Sequence, residues 1–299
     1  NTLMGKIENI IGSSGMTRLI SNILAENQVQ VWDGLSKSNW ISQTIGVLQG
    51  DPLSPVLFNV LTSDVVSRVK GQAPCTNIYI YADDMAFASD DMEELQKALD
   101  CVTEWADENG LTLNEKKTEF VVFRRGGRLK AEERLSCKGQ VLHPKNSFKY
   151  LGITMQVTGK AFSIHLRERL AAAIRSMSDI KHIMRMSTST AMKLFQAKVL
   201  PTLTYGLELY WEHLTKRQLG ELESLKSRFL KRLLGLSRYA PSRLTYVMTR
   251  ETFLIEDLRT QLLLPSTPAY RALLQELQAK RNAIEIEFYA TTAMQNRDW

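Results

Sequence analysis

The sequence predicts an α+β chain in which a mixed helix-and-sheet domain precedes an all-helical region. Strand and helix patterns alternate around an apolar run from Ile78 to Ala88. From Phe162 onward, apolar residues recur at intervals of three and four, the spacing of amphipathic helices. Residues 1–150 carry 16 basic and 19 acidic side chains, a net −3, whereas residues 151–299 carry 22 and 13, a net +9. An acidic front half and a basic rear half fit an active site beside a polyanion-binding surface, although solvated basic helix faces would give the same balance.

The first predicted domain, residues 1–157, begins with helical spacing. Apolar residues in the first 30 positions are interrupted by a Gly-Ser-Ser-Gly joint at 12–15, which predicts two helices. The segment Gln28–Trp40 predicts a hairpin with its turn at Asp33-Gly34. One further helix is predicted over Val56–Val69.

The run Ile78–Ala88 predicts two short strands joined by a tight turn. A helix is predicted over Asp90–Asn109, with capping-box spacing at Asp90 and Glu93 and a stop at Gly110. Three features follow this helix: a strand at Phe120–Phe123, a basic loop at 124–127 and a strand at Phe148–Ile153.

The helical region is predicted to divide into residues 158–240 and a helical C-terminal segment of unknown role over 241–299. Its first helix begins near Phe162. The later helices are predicted at Ala191–Leu200, Lys216–Leu234 and Ala269–Phe288, with prolines between them.

The cysteines Cys75, Cys101 and Cys137 have no short spacing, and the four histidines form no cluster with them. This pattern argues against a zinc knuckle and a disulfide framework. The sequence also has no run of 18 apolar residues and no signal-peptide core at its start. We therefore expect an intracellular protein without a membrane partner.

The most informative segment is Tyr81-Ala82-Asp83-Asp84, because adjacent carboxylates interrupt an apolar strand pair. At about 6 Å and an effective dielectric constant of about 20, two such charges repel by roughly 3 kcal/mol, which a divalent cation would reverse. A solvated turn is the alternative, and Asp90-Asp91 shows that an aspartate pair can be explained by helix capping alone.

Two flanking segments add candidate chemistry. The glycine-punctuated loop Gly46–Asn59 leads into a helix and would let a flat ligand approach the backbone, although Ser54 could simply be a helix N-cap. Lys117 precedes the predicted strand at Phe120 and could donate a proton to a leaving phosphate, although it could equally be a solvent-facing loop residue.

In order and spacing, these segments resemble the reverse transcriptases of non-long-terminal-repeat (LINE-type) retrotransposons. The segments similar to motifs B, C, D and E are Gln49–Asn59, Tyr81–Asp84, Asn114–Thr118 and Tyr150–Gly152. Pro201–Glu208, followed by Trp211, resembles a stretch after the palm of these elements. The resemblance covers roughly residues 1–236.

This resemblance implies a partial fingers and palm domain that extends a DNA primer on an RNA template with deoxynucleoside triphosphates. Asp83 and Asp84 would help to hold two Mg²⁺ ions, with Asp83 as the direct ligand, and Lys117 would be the acid for pyrophosphate departure. The residues implied at the nucleotide and template are Gln49, Gly50, Ser54, Pro55, Tyr81 and Ala82. The implied primer grip is Tyr150, Leu151 and Gly152.

The resemblance also implies that the Lys216–Leu234 helix belongs to a thumb. Its leucines and Phe229 share one face, and a second set of side chains is predicted to lie largely elsewhere and to contact phosphates: Lys226, Arg228, Lys231 and Arg232. A packed helix with a solvated basic face is the alternative.

The family carries another metal-binding aspartate in motif A, and the sequence begins just after the corresponding point. With two of the three expected carboxylates, we expect weak metal binding and little or no polymerisation by the isolated chain. We expect an upstream part of the same polyprotein as a partner, and a ribonucleoprotein in the nucleus and cytoplasm. A catalytically inactive nucleic-acid-binding module is the main alternative. An RNA-copying or group II intron-like polymerase would share the palm, but Asp51-Pro52-Leu53 and the Pro201–Trp211 segment argue against it.

Overall fold

The computed structural model describes residues 2–25, 27–43, 46–48, 50–124 and 134–295. Within these ranges the chain forms helices and short antiparallel strand pairs, which confirms the predicted α+β class. The chain divides into two compact units, unit 1 from Asn1 to Gly152 and unit 2 from Ile153 to Trp299. No described helix is both long enough and apolar enough to cross a lipid bilayer.

Unit 1 alternates helices with short strands. Its helices are α1 (Thr2–Ile11), α2 (Gly15–Leu24), α3 (Ser54–Leu61), α4 (Val65–Gln72) and α5 (Met92–Glu108). Its strands are β1 (Gln28–Val29), β2 (Ile41–Ser42), β3 (Asn77–Tyr81), β4 (Asp84–Ala88), β5 (Leu135–Cys137), β6 (Gln140–Leu142) and β7 (Ser147–Tyr150). Three antiparallel pairs form, namely β1 with β2, β3 with β4 and β5 with β6. The two N-terminal helices, the hairpin after them and the strand pair around Asp83 are confirmed.

The core of unit 1 lies between α4, α5 and one face of the β3–β4 pair. Small and apolar side chains of α4 and α5 surround Trp105, which is 1% exposed. The partly buried side chains packed against this core from β3 and β4 are Ile78, Ile80, Met85 and Phe87. Because burying a large apolar side chain contributes about 1.5–3 kcal/mol, this face anchors the strand pair to the helices.

The single helix predicted over Val56–Val69 is wrong, because the chain breaks between α3 and α4. The break holds Asp64, whose carboxylate accepts hydrogen bonds from Lys6 at 2.6 Å and from the Trp105 indole at 3.0 Å. These partners lie more than 40 residues away along the chain, so spacing within the segment could not reveal the break.

Three predictions that follow the acidic turn also differ from the structure. The N-cap of α5 is Asp91 rather than Asp90, and its carboxylate accepts the Glu93 amide at 2.9 Å. Phe120–Phe123 is not a strand: Val121 forms an isolated bridge, and Phe120 is buried in a small core with β5. Strand Phe148–Ile153 ends early, because the chain turns at Leu151 and Gly152.

Unit 2 is helical after one strand, β8 (Ile153–Gln156). Its helices are α6 (Ser163–Ser178), α7 (Thr188–Leu194), α8 (Leu200–Thr204), α9 (Lys216–Leu233), α10 (Ser242–Thr249), α11 (Leu254–Gln261) and α12 (Pro268–Gln295), with a π-helical segment at Phe195–Val199 and 3₁₀ turns at Ile183–Arg185, Leu207–Leu209 and Trp211–His213. The predicted helix Ala191–Leu200 therefore continues past Pro201, the second residue of α8, which directly follows the π-helical segment. Neither α10 nor α11 was predicted.

Helix α9 is the centre of unit 2. Its apolar side chains are almost fully buried, and α6, α10, α11 and α12 all contact it. Glu223 of α9 is buried too, where its carboxylate accepts hydrogen bonds from the Tyr246 hydroxyl and the Ile255 amide. The segment after residue 240 therefore shares a core with the predicted thumb helix.

Tyr210 lies in this core with an unsatisfied hydroxyl. The residue is 2% exposed, its ring stacks on Phe162 with centroids 5.3 Å apart, and the hydroxyl has no hydrogen-bond partner in the described part of the chain. Burial raises the pKa of Tyr210 to about 12. The folded state therefore holds a neutral phenol that lacks a partner, and such a group costs about 1–3 kcal/mol.

The variant Tyr210→Phe is expected to be more stable than the wild type by about 1 kcal/mol, because it removes this hydroxyl and keeps the stacked ring. Urea unfolding measures the difference. As pH rises from about 10 toward 12, Tyr210 ionises in the unfolded state before it does in the folded state. The free energy of unfolding of the wild type therefore falls over this range, and that of Tyr210→Phe does not show this fall. A variant less stable than the wild type at neutral pH would contradict this expectation.

Candidate active site

The acidic segment forms the tip of the β3–β4 hairpin. Tyr81 pairs with Asp84 across the strands, so Ala82 and Asp83 form a two-residue turn. Ala82 has a φ angle of 51°, in the left-handed region that tight hairpins require and that costs a residue with a Cβ atom about 1–2 kcal/mol. The predicted turn is present, and it holds the two carboxylates at its end.

The hairpin has two different faces, because side chains alternate along each strand. Ile80 and Met85 pair on the inner face, which packs on the helices. Tyr79, Tyr81 and Asp84 lie on the opposite face, where the two tyrosines are 55% and 65% exposed. Tyr79 was not among the predicted site residues, although strict alternation from Tyr81 places it on the same face.

Asp83 and Asp84 are exposed, and their carboxylates make no hydrogen bond or ion pair with any described residue. Most other aspartates of unit 1 have a protein partner, although Asp90 has none among the described residues. Asp33 and Asp51 accept backbone amides in turns, at 2.8 Å from Leu35 and 2.9 Å from Leu53. The hairpin carboxylates therefore have no structural partner that would compete with a cation.

The described residues contain no group of three or more His, Cys, Asp or Glu side chains that could hold a metal ion. A pair of carboxylates still fits Mg²⁺, which binds hard oxygen donors and commonly takes only one or two from protein, with water and phosphate supplying the others. The donor set of Asp83 and Asp84 is thus chemically suitable for the expected ion.

Tyr150, the last residue of β7, lies within the electrostatic reach of the hairpin. Partial burial raises the pKa of Tyr150, and the negative charge of Asp84 raises it further. Leu151 and Gly152 follow with φ angles of 46° and 79°, and so form a turn directly after the strand. The Asp84 charge thus acts on the first residue of the segment predicted as a primer grip.

The substitution Asp84→Asn is expected to lower the pKa of Tyr150, because it removes the negative charge that disfavours the phenolate. The pKa can be measured by NMR with ¹³C-labelled tyrosine, with Tyr150→Phe used to assign the signal. Asp83→Asn is the matched control, since the Asp83 charge is not among the causes of this shift. An equal effect of both substitutions would contradict the geometry described here.

The loop before α3 is held by its own polar groups. The Ser54 hydroxyl donates to the Leu48 carbonyl at 2.6 Å, and Ser54 is the first residue of α3 rather than its N-cap. Gly50 has a φ angle of 90°, and a Cβ atom there would meet open space. Pro55 lies in the first helical turn, and Gln49 lies outside the described residues. The backbone at Gly50 is therefore accessible to a ligand.

Lys117 lies in an exposed turn whose backbone is held by Asn114. The Lys117 amide donates to the Asn114 carbonyl at 3.0 Å. Its side chain makes no hydrogen bond or ion pair with the described residues, including the acidic hairpin. Its predicted role as an acid therefore gains no support from a contact with Asp83 or Asp84.

The predicted phosphate-binding face of α9 differs from the structure. Lys226 is buried, and its ammonium group contacts Glu251 at 3.0 Å and Asp257 at 2.7 Å. Lys231 is 9% exposed and donates to a backbone carbonyl. The prediction that these two side chains lie away from the core is wrong, because α10 and α11 cover a side of α9 that helical spacing alone left open.

Arg232 is also used internally, since its guanidinium donates at 2.7 Å to the Met177 and Ile180 carbonyls at the end of α6. Arg228 is exposed and makes no hydrogen bond or ion pair with the described residues. Of the four predicted phosphate contacts, Arg228 has the exposure that such a role requires.

Residues 6–155 match the protein family described as reverse transcriptase (RNA-dependent DNA polymerase). The match covers half of the chain, and the chain belongs to this family. The matched region includes the loop before α3, the acidic hairpin and β7. All four segments that resemble motifs B, C, D and E therefore lie within the matched region.

The chain is also similar to proteins of retrotransposons that lack long terminal repeats. It is 25% identical to a Retrovirus-related Pol polyprotein from type-1 retrotransposable element R2 of Popillia japonica, over 79% of this chain and 40% of that protein. It is 25% identical to the RNA-directed DNA polymerase from mobile element jockey of Drosophila melanogaster, over 75% of this chain and 26% of that protein. These matches confirm the predicted LINE-type resemblance, and the chain spans less than half the length of either relative.

Proposed function

We propose that the chain forms part of the RNA-directed DNA polymerase of a non-long-terminal-repeat retrotransposon, with the β3–β4 hairpin as its catalytic turn. The observation that carries this proposal is the state of Asp83 and Asp84, which are exposed at a hairpin tip and have no protein partner in the described chain. The match of residues 6–155 to the reverse transcriptase family supports the same assignment.

In this proposal Asp83 and Asp84 hold Mg²⁺, with Asp83 as the direct ligand. When bound, the ions activate the primer 3′-hydroxyl and stabilise the charge of the departing pyrophosphate. The charge of Asp84 acts on Tyr150, and in this proposal the turn at Tyr150, Leu151 and Gly152 positions the primer end. Such positioning contributes part of the barrier reduction in polymerases.

Other residues of unit 1 contact the substrates. Because Gly50 has no side chain, the incoming nucleotide and the template can contact the backbone there. Ser54 stabilises the loop through the hydrogen bond from its hydroxyl to the Leu48 carbonyl. Tyr81 and Ala82 border the same site from the hairpin. Lys117 donates a proton as pyrophosphate leaves, a role that requires its turn to approach the hairpin when substrates bind.

The wider organisation is proposed by analogy with the family. Residues 1–157 act as partial fingers and palm, 158–240 as a thumb and 241–299 as a helical segment that packs on the thumb. RNA template, DNA primer, deoxynucleoside triphosphates and further segments of the polyprotein are the partners, in a ribonucleoprotein of the nucleus and cytoplasm.

Primer extension on an oligonucleotide-primed RNA template, with Mg²⁺, tests the proposal. The chain is compared with Asp83→Ala, and extension by the wild type that is lost in the variant supports it. If neither the wild type nor Asp83→Ala extends the primer, the segment that precedes motif B in a relative is fused to the N-terminus of each. The two fused proteins are then compared in the same assay. Failure of the fused wild type would instead favour a catalytically inactive nucleic-acid-binding module.

A further inference from the structure

Unit 2 contains a cavity of about 420 Å³ between the turn that enters α6 and the turn that enters α9. Its lining residues come from two short segments, 160–163 and 210–218. Cavities of about 300–1,000 Å³ are the usual sites for small molecules. None of these lining residues belongs to the candidate active site, so the polymerase chemistry leaves the cavity without a role.

The apolar part of the lining is largely aromatic. The rings of Phe162 and Tyr210 are stacked, with centroids 5.3 Å apart and planes inclined by 20°. Tyr210 and Leu214 are buried, whereas Phe162 is half-buried. Stacked aromatic rings beside an aliphatic side chain favour a ligand with a flat apolar body, because that body then leaves water without losing hydrogen bonds.

The polar part of the lining offers hydrogen-bond donors. One is the Lys160 ammonium group, and another is the Ser163 hydroxyl, which makes no hydrogen bond with any described residue. The side-chain oxygen of Gln218 accepts the Thr215 amide at 3.0 Å and the Thr215 hydroxyl at 2.9 Å, which leaves the Gln218 amide nitrogen without a partner among the described residues. A ligand group that accepts hydrogen bonds therefore suits this lining.

Lys160 has no counterion in the described part of the chain. Its ammonium group donates at 3.3 Å to the neutral His213 carbonyl, which is a long hydrogen bond. None of the described lining residues is acidic. Lys216, at the start of α9, differs because its ammonium group pairs with Glu276 at 2.8 Å. An anion at Lys160 would replace a weak bond to a neutral acceptor by a charge-assisted one.

We propose that this cavity binds a small organic carboxylate with a flat apolar body. Lys160 binds the carboxylate, with Ser163 and Gln218 as further donors, and Phe162 and Tyr210 contact the apolar body. The carboxylate supplies the counterion that Lys160 lacks. This site goes beyond the proposed function and does not depend on it, because a chain that fails to extend a primer would still contain the cavity.

Saturation-transfer difference NMR with 2-naphthoate, titrated into the full chain without nucleic acid or nucleotides, tests this site. We expect saturable binding with a Kd of about 0.1–1 mM, an ordinary affinity for a ligand of this size. The neutral analogue 2-naphthalenemethanol has the same ring system. It is expected to bind about tenfold more weakly, because it lacks the charge-assisted contact with Lys160.

Lys160→Met removes the ammonium group and keeps an unbranched side chain. It is expected to raise the Kd for 2-naphthoate about tenfold and to leave the Kd for 2-naphthalenemethanol nearly unchanged. Lys160→Arg keeps the charge and should keep most of the affinity. Lys216→Met is the matched control, because it removes a cation that is already paired with Glu276, and it should leave both Kd values unchanged.

Ser163→Phe tests the cavity itself, because the added ring would occupy it. Binding of both probes is expected to be lost in a cooperatively folded variant. If this variant does not fold, nuclear Overhauser effects between 2-naphthoate and the Phe162 ring of the wild type, assigned with Phe162→Leu, locate the ligand instead. Their absence at saturating 2-naphthoate would contradict the site.

Absence of saturable binding at several millimolar 2-naphthoate would overturn the proposal. Equal affinity for the charged and neutral probes, or a Kd that Lys160→Met leaves unchanged, would overturn it as well. Displacement by deoxyadenosine triphosphate would show a nucleotide site instead of a carboxylate site. Asp83→Ala is expected to bind 2-naphthoate like the wild type, so failure of this site and failure of the polymerase assignment are distinguishable.

Discussion

Replacing Asp83 by asparagine is expected to lower the rate of magnesium-dependent primer extension by about 10³-fold, in whichever form of the chain supports extension. Asparagine keeps the size of the side chain and removes the negative charge that would hold the ion. A metal ion contributes several kcal/mol of charge stabilisation in the transition state, and about 4 kcal/mol corresponds to this factor. Single-turnover extension on a primed RNA template at saturating nucleotide measures the rate.

Asp90→Asn is the control for this experiment. Asp90 is exposed, loses the same charge on substitution and lies beyond the end of β4, outside the hairpin tip. It is expected to change the rate by less than about twofold, because an exposed and distant charge is screened by salt. A rate for Asp83→Asn within tenfold of the wild type would contradict the assignment of Asp83 as a metal ligand.

Replacing Lys226 by methionine is expected to destabilise unit 2 by about 3 kcal/mol. The lysine side chain is 2% exposed, whereas Glu251 and Asp257 are 25% and 26% exposed. Removing the cation leaves two partly desolvated carboxylates close to each other, and breaking a buried ion pair in this way costs about 3–5 kcal/mol. Partial exposure of the acids places the expectation at the lower end of that range.

Urea unfolding together with hydrogen exchange of the α9 amides measures this effect. Arg217→Met removes an exposed cation from the same helix and is expected to change stability by about 0.5 kcal/mol or less. Adding Glu251→Gln and Asp257→Asn to Lys226→Met should recover part of the loss, because the uncompensated charges are then gone. A Lys226→Met chain as stable as the wild type would show that the ion pairs contribute little.

Local patterns were sufficient to predict the elements whose stability comes from their own alternation or periodicity. The hairpin around Asp83 and the helix α9 are both present where the sequence placed them. The errors involve long-range contacts: Asp64, between α3 and α4, accepts hydrogen bonds from Lys6 and Trp105, and Asp257 of α11 pairs with the buried Lys226. Periodicity shows which residues one face can bury, but it does not show how many faces are covered.

In the candidate site, too, the features set by neighbouring residues were predictable from the sequence, and those set by long-range contacts were not. The apolar strand pattern predicted a tight turn at Asp83 and Asp84, since that depends on a few neighbouring residues. The effect of the Asp84 charge on the pKa of Tyr150 joins residues 66 positions apart and required the structure. The role of Lys117 stays a prediction, because its turn shows no contact that would test it.

The two-residue length of the Ala82-Asp83 turn has a consequence for how this region can vary. Because Met85 packs inward and Asp84 outward, one inserted or deleted residue would exchange the two faces along β4, burying a carboxylate and exposing a core side chain. Substitutions at the tip can be compensated by neighbours, whereas a change of length cannot. Active members of this lineage should therefore tolerate sequence drift in the hairpin far better than insertions or deletions.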